Sequence, residues 1–328
     1  MLSPQQILMD DTSRSDELPP RSARYSYYEG AQMGIQDFLP NEPLDVTTLE
    51  DRKIKEIEHS RKRRSILQGF ERRVDTHATE KVKNLDKLTK NKAEFETHFA
   101  NMKYYSITAS SERYYHNWLR DRINPNVVAL DYCAGNGECG LYMASCGANV
   151  IGIDISPEGV ENANQNARDL GLQDNCRFVV QDAERTSFSD NTFDIIIEYG
   201  ALHHLDYEKA MKELQRIIKP TGKIICIEAL RHNPVFHLYR KMTPHLRTAW
   251  EVDHIIGVEH LEISRKYFTN VNPRFFHLVG LLAVPFRKTP LFKPIREAFE
   301  AIDNVLLSFN GIGKFGWQCV FTMSCPRK

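Results

Sequence analysis

Apolar residues along this chain first follow a helical period and then gather into short unbroken runs. Between 49 and about 101 they recur at helical spacing, as Ile54 and Ile57, then Ile66, Leu67, Phe70 and Val74, then Val82, Leu85, Leu88, Phe95 and Phe99. From Val127 the pattern changes to continuous runs, at 127–130, 150–153, 177–181, within 190–205 and at 223–227. Such runs suit parallel strands covered on both faces. The stretches between them read as amphipathic helices. One carries Leu141, Tyr142 and Ala144, and a second opens on Pro157 and closes on Gly171. A third, over 207–223, places Ala210, Met211, Leu214, Ile217 and Ile218 on one face and stops at Pro220 and Gly222. This alternation predicts an α/β, doubly wound, Rossmann-like and mostly parallel sheet with helices on both faces. Toward the end, Phe275 to Pro285 is apolar, Lys293 to Leu307 is amphipathic, and Trp317 to Met323 alternates as a last edge strand.

The same pattern divides the chain. Residues 1–48, rich in Ser, Pro, Asp and Glu without a period, read as an irregular or disordered tail, with the aromatic YSYYEG at 25–30 as its exception. Residues 49–120 form a helical N-terminal extension and a cap, and 121–328 form the core, with a lid inserted at 229–260. Length agrees: 328 residues suit one core with an appendage.

Composition narrows the partners. The 43 basic residues balance 43 acidic ones, so no net field holds nucleic acid or an anionic membrane. Seven cysteines with no CxxC pair fit reduced thiols and a cytoplasmic location, with neither disulfides nor zinc. Asp10 and Asp11 stand where a signal peptide would be basic and then apolar. The longest apolar patch, at 275–286, is short of the ~18 residues a transmembrane helix needs. The histidine spacings match no compact metal pair, so no metal is expected. Nothing in the sequence sets an oligomeric state.

The candidate chemistry starts at 126–156. Gly135, Gly137 and Gly140 follow the first strand as GxGxxG, and Asp154 ends the second, where a carboxylate can accept both protons of a ribose diol. That spacing alone also fits a dinucleotide. Asp131 before the glycines would repel a pyrophosphate and attract an ammonium, which favours S-adenosyl-L-methionine. The stretch resembles motif I of the class I S-adenosylmethionine-dependent methyltransferases, with Cys133 where the common form has its first glycine. The ordered likeness covers roughly 125–230 and extends to the small-molecule type, including enzymes of quinone biosynthesis.

The resemblance implies a seven-stranded sheet with an antiparallel final strand. It also implies cofactor contacts from Asp131, Ala134, Gly135, Gly137, Asp154 and Ile155, and from Asp182 and Ala183 at the adenine. Glu198 and Tyr199 end the fourth strand, and His203 and His204 follow, in the position of the family's motif IV beside the transferred methyl. Glu198 is a candidate for both cofactor binding and catalysis, and Tyr199 for the substrate. His203 or His204 is the candidate base, because imidazole titrates near the operating pH, although the motif also occurs where no base is needed. Tyr104, Tyr105 and Thr108 either close over the cofactor and substrate or cement the extension to the core, with Tyr105 a further catalytic candidate.

The inserted lid concentrates Arg231, His232, Tyr239, Arg240, His245 and Arg247. Guanidinium forks match carboxylates and phosphates, so these residues predict a small anionic substrate methylated on O, N or C. Two alternatives stand beside this expectation. RKRR at 61–64 could make the N-terminal helices a docking arm for a nucleic-acid or protein substrate, or the chain could be a non-catalytic cofactor-binding subunit.

Overall fold

The computed structural model describes residues 35–40, 44–66, 100–243, 246, 248–309 and 311–328. The predicted helical positions from Leu67 to Phe99, and YSYYEG, lie outside them. Seven strands form one sheet: β1 (Val128–Tyr132), β2 (Asn149–Asp154), β3 (Cys176–Val180), β4 (Phe193–Tyr199), β5 (Ile218–Ala229), β6 (Phe268–Phe276) and β7 (Gln318–Pro326). Their order is β3-β2-β1-β4-β5-β7-β6. The first five pair in parallel, and β7 runs antiparallel to both β5 and β6.

Period-two alternation sends the apolar runs to both faces. Leu130, Tyr132, Ile151, Ile153, Ile196 and Ile224 pack in one cluster with Tyr207, Ala210, Met211, Leu214 and Ile217 of α5 (Tyr207–Ile217). Ala129, Val150, Ile195, Ile197 and Ile225 pack on the other side. There they meet α2 (Ala109–Arg120), α3 (Glu138–Ser145) and α4 (Pro157–Asp169). Helix starts are set locally. Ser156 caps α4 ahead of Pro157, and the Asp206 carboxylate accepts from Lys209 N at the start of α5. The segment expected to be a lid contains α6 (Pro234–Met242) and α7 (Ala249–His254), followed by α8 (Val258–Tyr267). α9 (Phe292–Leu306) is the amphipathic helix read near the end of the sequence.

Three expectations are corrected. The helix over 207–223 ends at Ile217; Pro220 to Gly222 lie inside β5, where the register with β4 slips between Phe193 and Ile195. Pro has no N–H to donate to a ladder, so the strand bulges there. The last strand is not the edge: β7 sits between β5 and β6, and β6 takes the edge. Part of the tail is ordered on the core, since Ile35–Phe38 form a 3₁₀ turn and Ile35 joins the cluster that holds Leu130.

α1 (Asp51–Ile66) docks by ion pairs as much as by apolar contact. Ile57 and Lys53 are its buried positions, one turn apart. Lys53 Nζ reaches Asp182 at 2.6 Å and Glu184 at 2.9 Å, Arg52 reaches Glu184 at 2.5 Å, and Arg61 reaches Glu158 at 2.6 Å. Of the RKRR run read as a possible docking arm, Arg61 pairs with the core.

Candidate functional site

The turn after β1 keeps a glycine-like backbone despite its cysteine. Cys133 has φ 62°, Gly135 59° and Gly137 85°, all left-handed. A non-glycine residue there costs about 1–2 kcal/mol, which the fixed turn offsets. A Cβ on Gly137 would meet the Phe178 ring at 2.5 Å, whereas nothing lies within 4 Å of a Cβ on Gly135. Gly137 therefore serves packing, and Gly135 faces open space that a ligand can enter.

The two acids of this region have different tasks. Asp131 is buried, and its Oδ2 accepts from Gly140 N at 2.7 Å. Burial, helped by the charge of Asp154 and opposed by the Gly140 N–H, pushes its carboxyl up to about 7. It braces the N-terminus of α3 and is not the exposed anion expected to draw in an ammonium. Asp154 is only half-buried, with Oδ2 accepting from Gly135 N and Oδ1 from Ser156 N, each at 2.8 Å. These donors orient the carboxylate, and each oxygen keeps acceptor capacity for a vicinal diol. Ala134 N is held on the Ile153 carbonyl at 2.7 Å, and half-buried Ile155 follows Asp154.

At the end of β3, Asp182 accepts from Glu184 N through Oδ1 and from Lys53 through Oδ2. Ala183 is buried, with its carbonyl held by the Tyr132 hydroxyl. The adenine acceptor expected from sequence is thus shared with α1. Lys53 and Glu184 belong to this edge, and the sequence carried no signal for Lys53 beyond a lysine in an apolar stripe.

The ends of β4 and β5 hold a cluster of acids around two histidines. Glu198 is wholly buried, and its Oε1 accepts from Ala201 N at 2.5 Å and Leu202 N at 3.2 Å. It fastens the turn from beneath, which corrects the expectation that it touches cofactor or acceptor. Burial and the neighbouring charge of Glu228 raise it well above the usual carboxylate range. His203 Nδ1 lies 2.9 Å from Glu228 Oε2, and its Nε2 lies 3.9 Å from Glu251 Oε1. Burial alone would lower His203, but Glu228 and then Glu251 outweigh it, so its pKa stands above the ordinary value. His204 Nδ1 pairs with Glu56 of α1 at 3.0 Å. Glu56 also accepts from Thr248, the N-cap of α7, at 2.5 Å. Sequence reading did not count Glu228 in the site. It missed Glu56 and Glu251, which arrive from distant segments.

The cap and lid residues sort differently from their expected roles. Thr108 is fully buried with its hydroxyl 2.6 Å from Glu112 Oε1, which removes it as a cofactor contact. Tyr199 donates to the same Glu112 oxygen at 3.3 Å. The Tyr104 ring meets Phe236, Tyr239 and Trp317 at 4.7, 5.2 and 6.3 Å, and Tyr105 meets Trp317 at 5.4 Å. Both rings stand in this aromatic cluster. Arg231 and Arg240 have separate partners. Arg231 pairs with Glu259 at 2.7 Å, Arg240 donates to the Leu230 carbonyl at 3.0 Å, and His232 accepts from Val258 N at 3.3 Å. His245 and Arg247 lie outside the described residues. Among those described, no cluster of His, Cys, Asp or Glu could hold a metal ion, and no helix is long and apolar enough to cross a membrane.

Residues 130–226 match the family described as "Methyltransferase domain". A sterol 4-C-methyltransferase of Caenorhabditis elegans is 34% identical over 112 residues, covering 34% of each chain. A ubiquinone/menaquinone biosynthesis C-methyltransferase of Rickettsia prowazekii is 39% identical over 112 residues, covering 32% of this chain and 45% of that one. The chain spans only a third to under half of these curated relatives. A solved geranyl diphosphate C-methyltransferase from Streptomyces coelicolor A3(2) overlaps 67% of this chain and 82% of its own, at 17% identity and a TM-score of 0.44. Likeness at that level adds nothing to the fold described above.

Proposed function

We propose that this chain, whose residues 130–226 are a methyltransferase domain of the class I kind that uses S-adenosylmethionine, transfers a methyl group to a small apolar molecule. One observation carries the reading. The open side of Gly135 adjoins an oriented, half-buried Asp154, and His203 stands at the carboxyl end of the same sheet, where ligands bind in open α/β folds.

Bound S-adenosylmethionine supplies a methyl already activated for displacement. The residues of this chain then hold, align and deprotonate. Asp154 receives the ribose diol, the backbone at Gly135 admits the close approach of a ligand, and Asp182 offers an acceptor for the adenine amine beside Lys53. His203 Nε2 takes the proton that an O, N or C acceptor must lose. The anionic acceptor expected from sequence has little support, because Arg231 and Arg240 are spent within the chain while acids surround the histidines. An apolar one is supported by the matched relatives, which are named as a sterol 4-C-methyltransferase and a ubiquinone/menaquinone biosynthesis C-methyltransferase.

The test is incubation of the full chain with methyl-labelled S-adenosylmethionine and a panel of sterols, hydroquinones and acidic small molecules, with RNA and protein extract as controls. Label in the apolar members is expected. Label confined to RNA, protein or the acidic members rejects the substrate class. Tighter calorimetric binding of NAD than of S-adenosylmethionine rejects the cofactor reading.

A further inference from the structure

The pairing at the end of β5 has a geometry that simple burial of a carboxylate does not require. Glu228 lies on β5, is 1% exposed, and divides its two oxygens. Oε1 accepts from Leu202 N at 2.6 Å, and Oε2 lies 2.9 Å from His203 Nδ1. A carboxylate anchored on a backbone N–H cannot swing away, so His203 Nδ1 must be the donor and Nε2 the free basic atom. Nε2 then points toward Glu251 of α7, too far at 3.9 Å for a hydrogen bond to the bare ring.

We propose that Glu228 is the positioning residue for His203, fixing its Nδ1–H tautomer and presenting Nε2 as proton acceptor, with Glu251 receiving the imidazolium. This rests on the reading of His203 as the base for methyl transfer. The balance is simple. An O–H, N–H or C–H bond of the acceptor breaks and leaves its electron pair on the acceptor, an Nε2–H bond forms, and the positive charge sits between two carboxylates until the proton leaves to solvent.

Among the described residues, three charged groups act most on the ring. Glu228 and Glu251 favour the charged imidazole, and Arg240 of α6 opposes it. His204, stacked on His203 at 4.3 Å, is itself held by Glu56. Beside Glu228, burial and the charge of Glu228 raise Glu198 well above the usual carboxylate range, while contact with His203 holds Glu228 below it.

The experiment titrates the histidines of the full chain by NMR after ring-nitrogen labelling, with assignment by His203→Gln, in the presence and absence of S-adenosylhomocysteine. In wild type His203 is expected as the Nδ1–H tautomer, titrating above ~6.5, the ordinary histidine value. In Glu228→Gln its titration should move down and the tautomer preference should be lost, whereas Glu228→Asp should keep the raised titration. With any acceptor that takes label, Glu228→Gln should lower turnover about ten- to a hundredfold. The acidic limb of the rate profile should move to lower pH, with S-adenosylhomocysteine affinity within about twofold. An unchanged His203 titration in Glu228→Gln overturns the proposal whether or not an acceptor is found. So does normal turnover by His203→Gln, a result that leaves cofactor binding and methyl transfer intact.

Discussion

At the scale of single residues, the two acids that flank the glycine turn should answer differently to mutation. Asp154 holds the backbone N–H groups of Gly135 and Ser156 beside the open side of Gly135. Asp154→Ala should weaken S-adenosylmethionine binding by about 1.5–3 kcal/mol, the range for hydrogen bonds to a charged acceptor, and calorimetry reads it directly. Asp131 is a matter of stability. Its carboxyl is pushed up to about 7 by burial, so the folded protein holds a proton that the unfolded chain gives up near pH 4. Stability should fall as pH rises between those values. Asp131→Asn keeps an acceptor for Gly140 N–H and removes the titration. Its unfolding midpoint should exceed that of wild type by a few degrees at about pH 8 and match it at about pH 3, below the unfolded value. Equal pH slopes for the two proteins would show that Asp131 stays ionised.

At the scale of elements, α1 is the least expected part of the site. Its Lys53 lies buried between Asp182 and Glu184, and its Glu56 joins His204 to the cap of α7. Removing one partner of a buried pair costs about 3–5 kcal/mol, because the charges left behind lose their compensation. Lys53→Ala should therefore release this helix locally. Hydrogen exchange over 51–66 should quicken by roughly a hundredfold or more while β1 and β4 keep their protection. Cofactor affinity should change too, since Asp182 loses its partner. Unchanged exchange in the helix would mean that apolar contacts such as Ile57 hold it.

At the scale of the whole molecule, the His203–Glu228 pair gives stability a window. The raised His203 contributes stability that is full below its unfolded value of ~6.5 and is lost as pH rises through its folded value. The depressed Glu228 contributes stability present above ~4.3 and lost as pH falls through its folded value. Between those limits the pair is intact. Glu228→Gln should cost most stability near pH 6 and less toward either extreme, as chemical denaturation across pH would show. Ligand binding adds to this: S-adenosylhomocysteine at a hundred times its dissociation constant should stabilise the fold by about 2.7 kcal/mol. NAD at the same concentration should leave the midpoint unmoved.

The core was legible in the sequence because its signals are local. Apolar runs for β1, β2 and β4, a glycine turn, Pro157 and Ser156 at a helix start, and an acid at the end of a strand each need only neighbours in the chain to be recognised. Roles set by contacts between distant segments were not legible. β6 became the edge because β7 inserted beside β5, a choice of pairing that Phe268–Phe276 does not encode alone. Arg231 met Glu259, and Lys53 met Asp182 across 129 positions, so both charges were neutralised within the chain. Residue type and position along the chain determined which groups could do chemistry. Tertiary packing decided which of them are still free to do it, because a charge or hydroxyl is consumed by whichever partner the fold brings within about 3 Å.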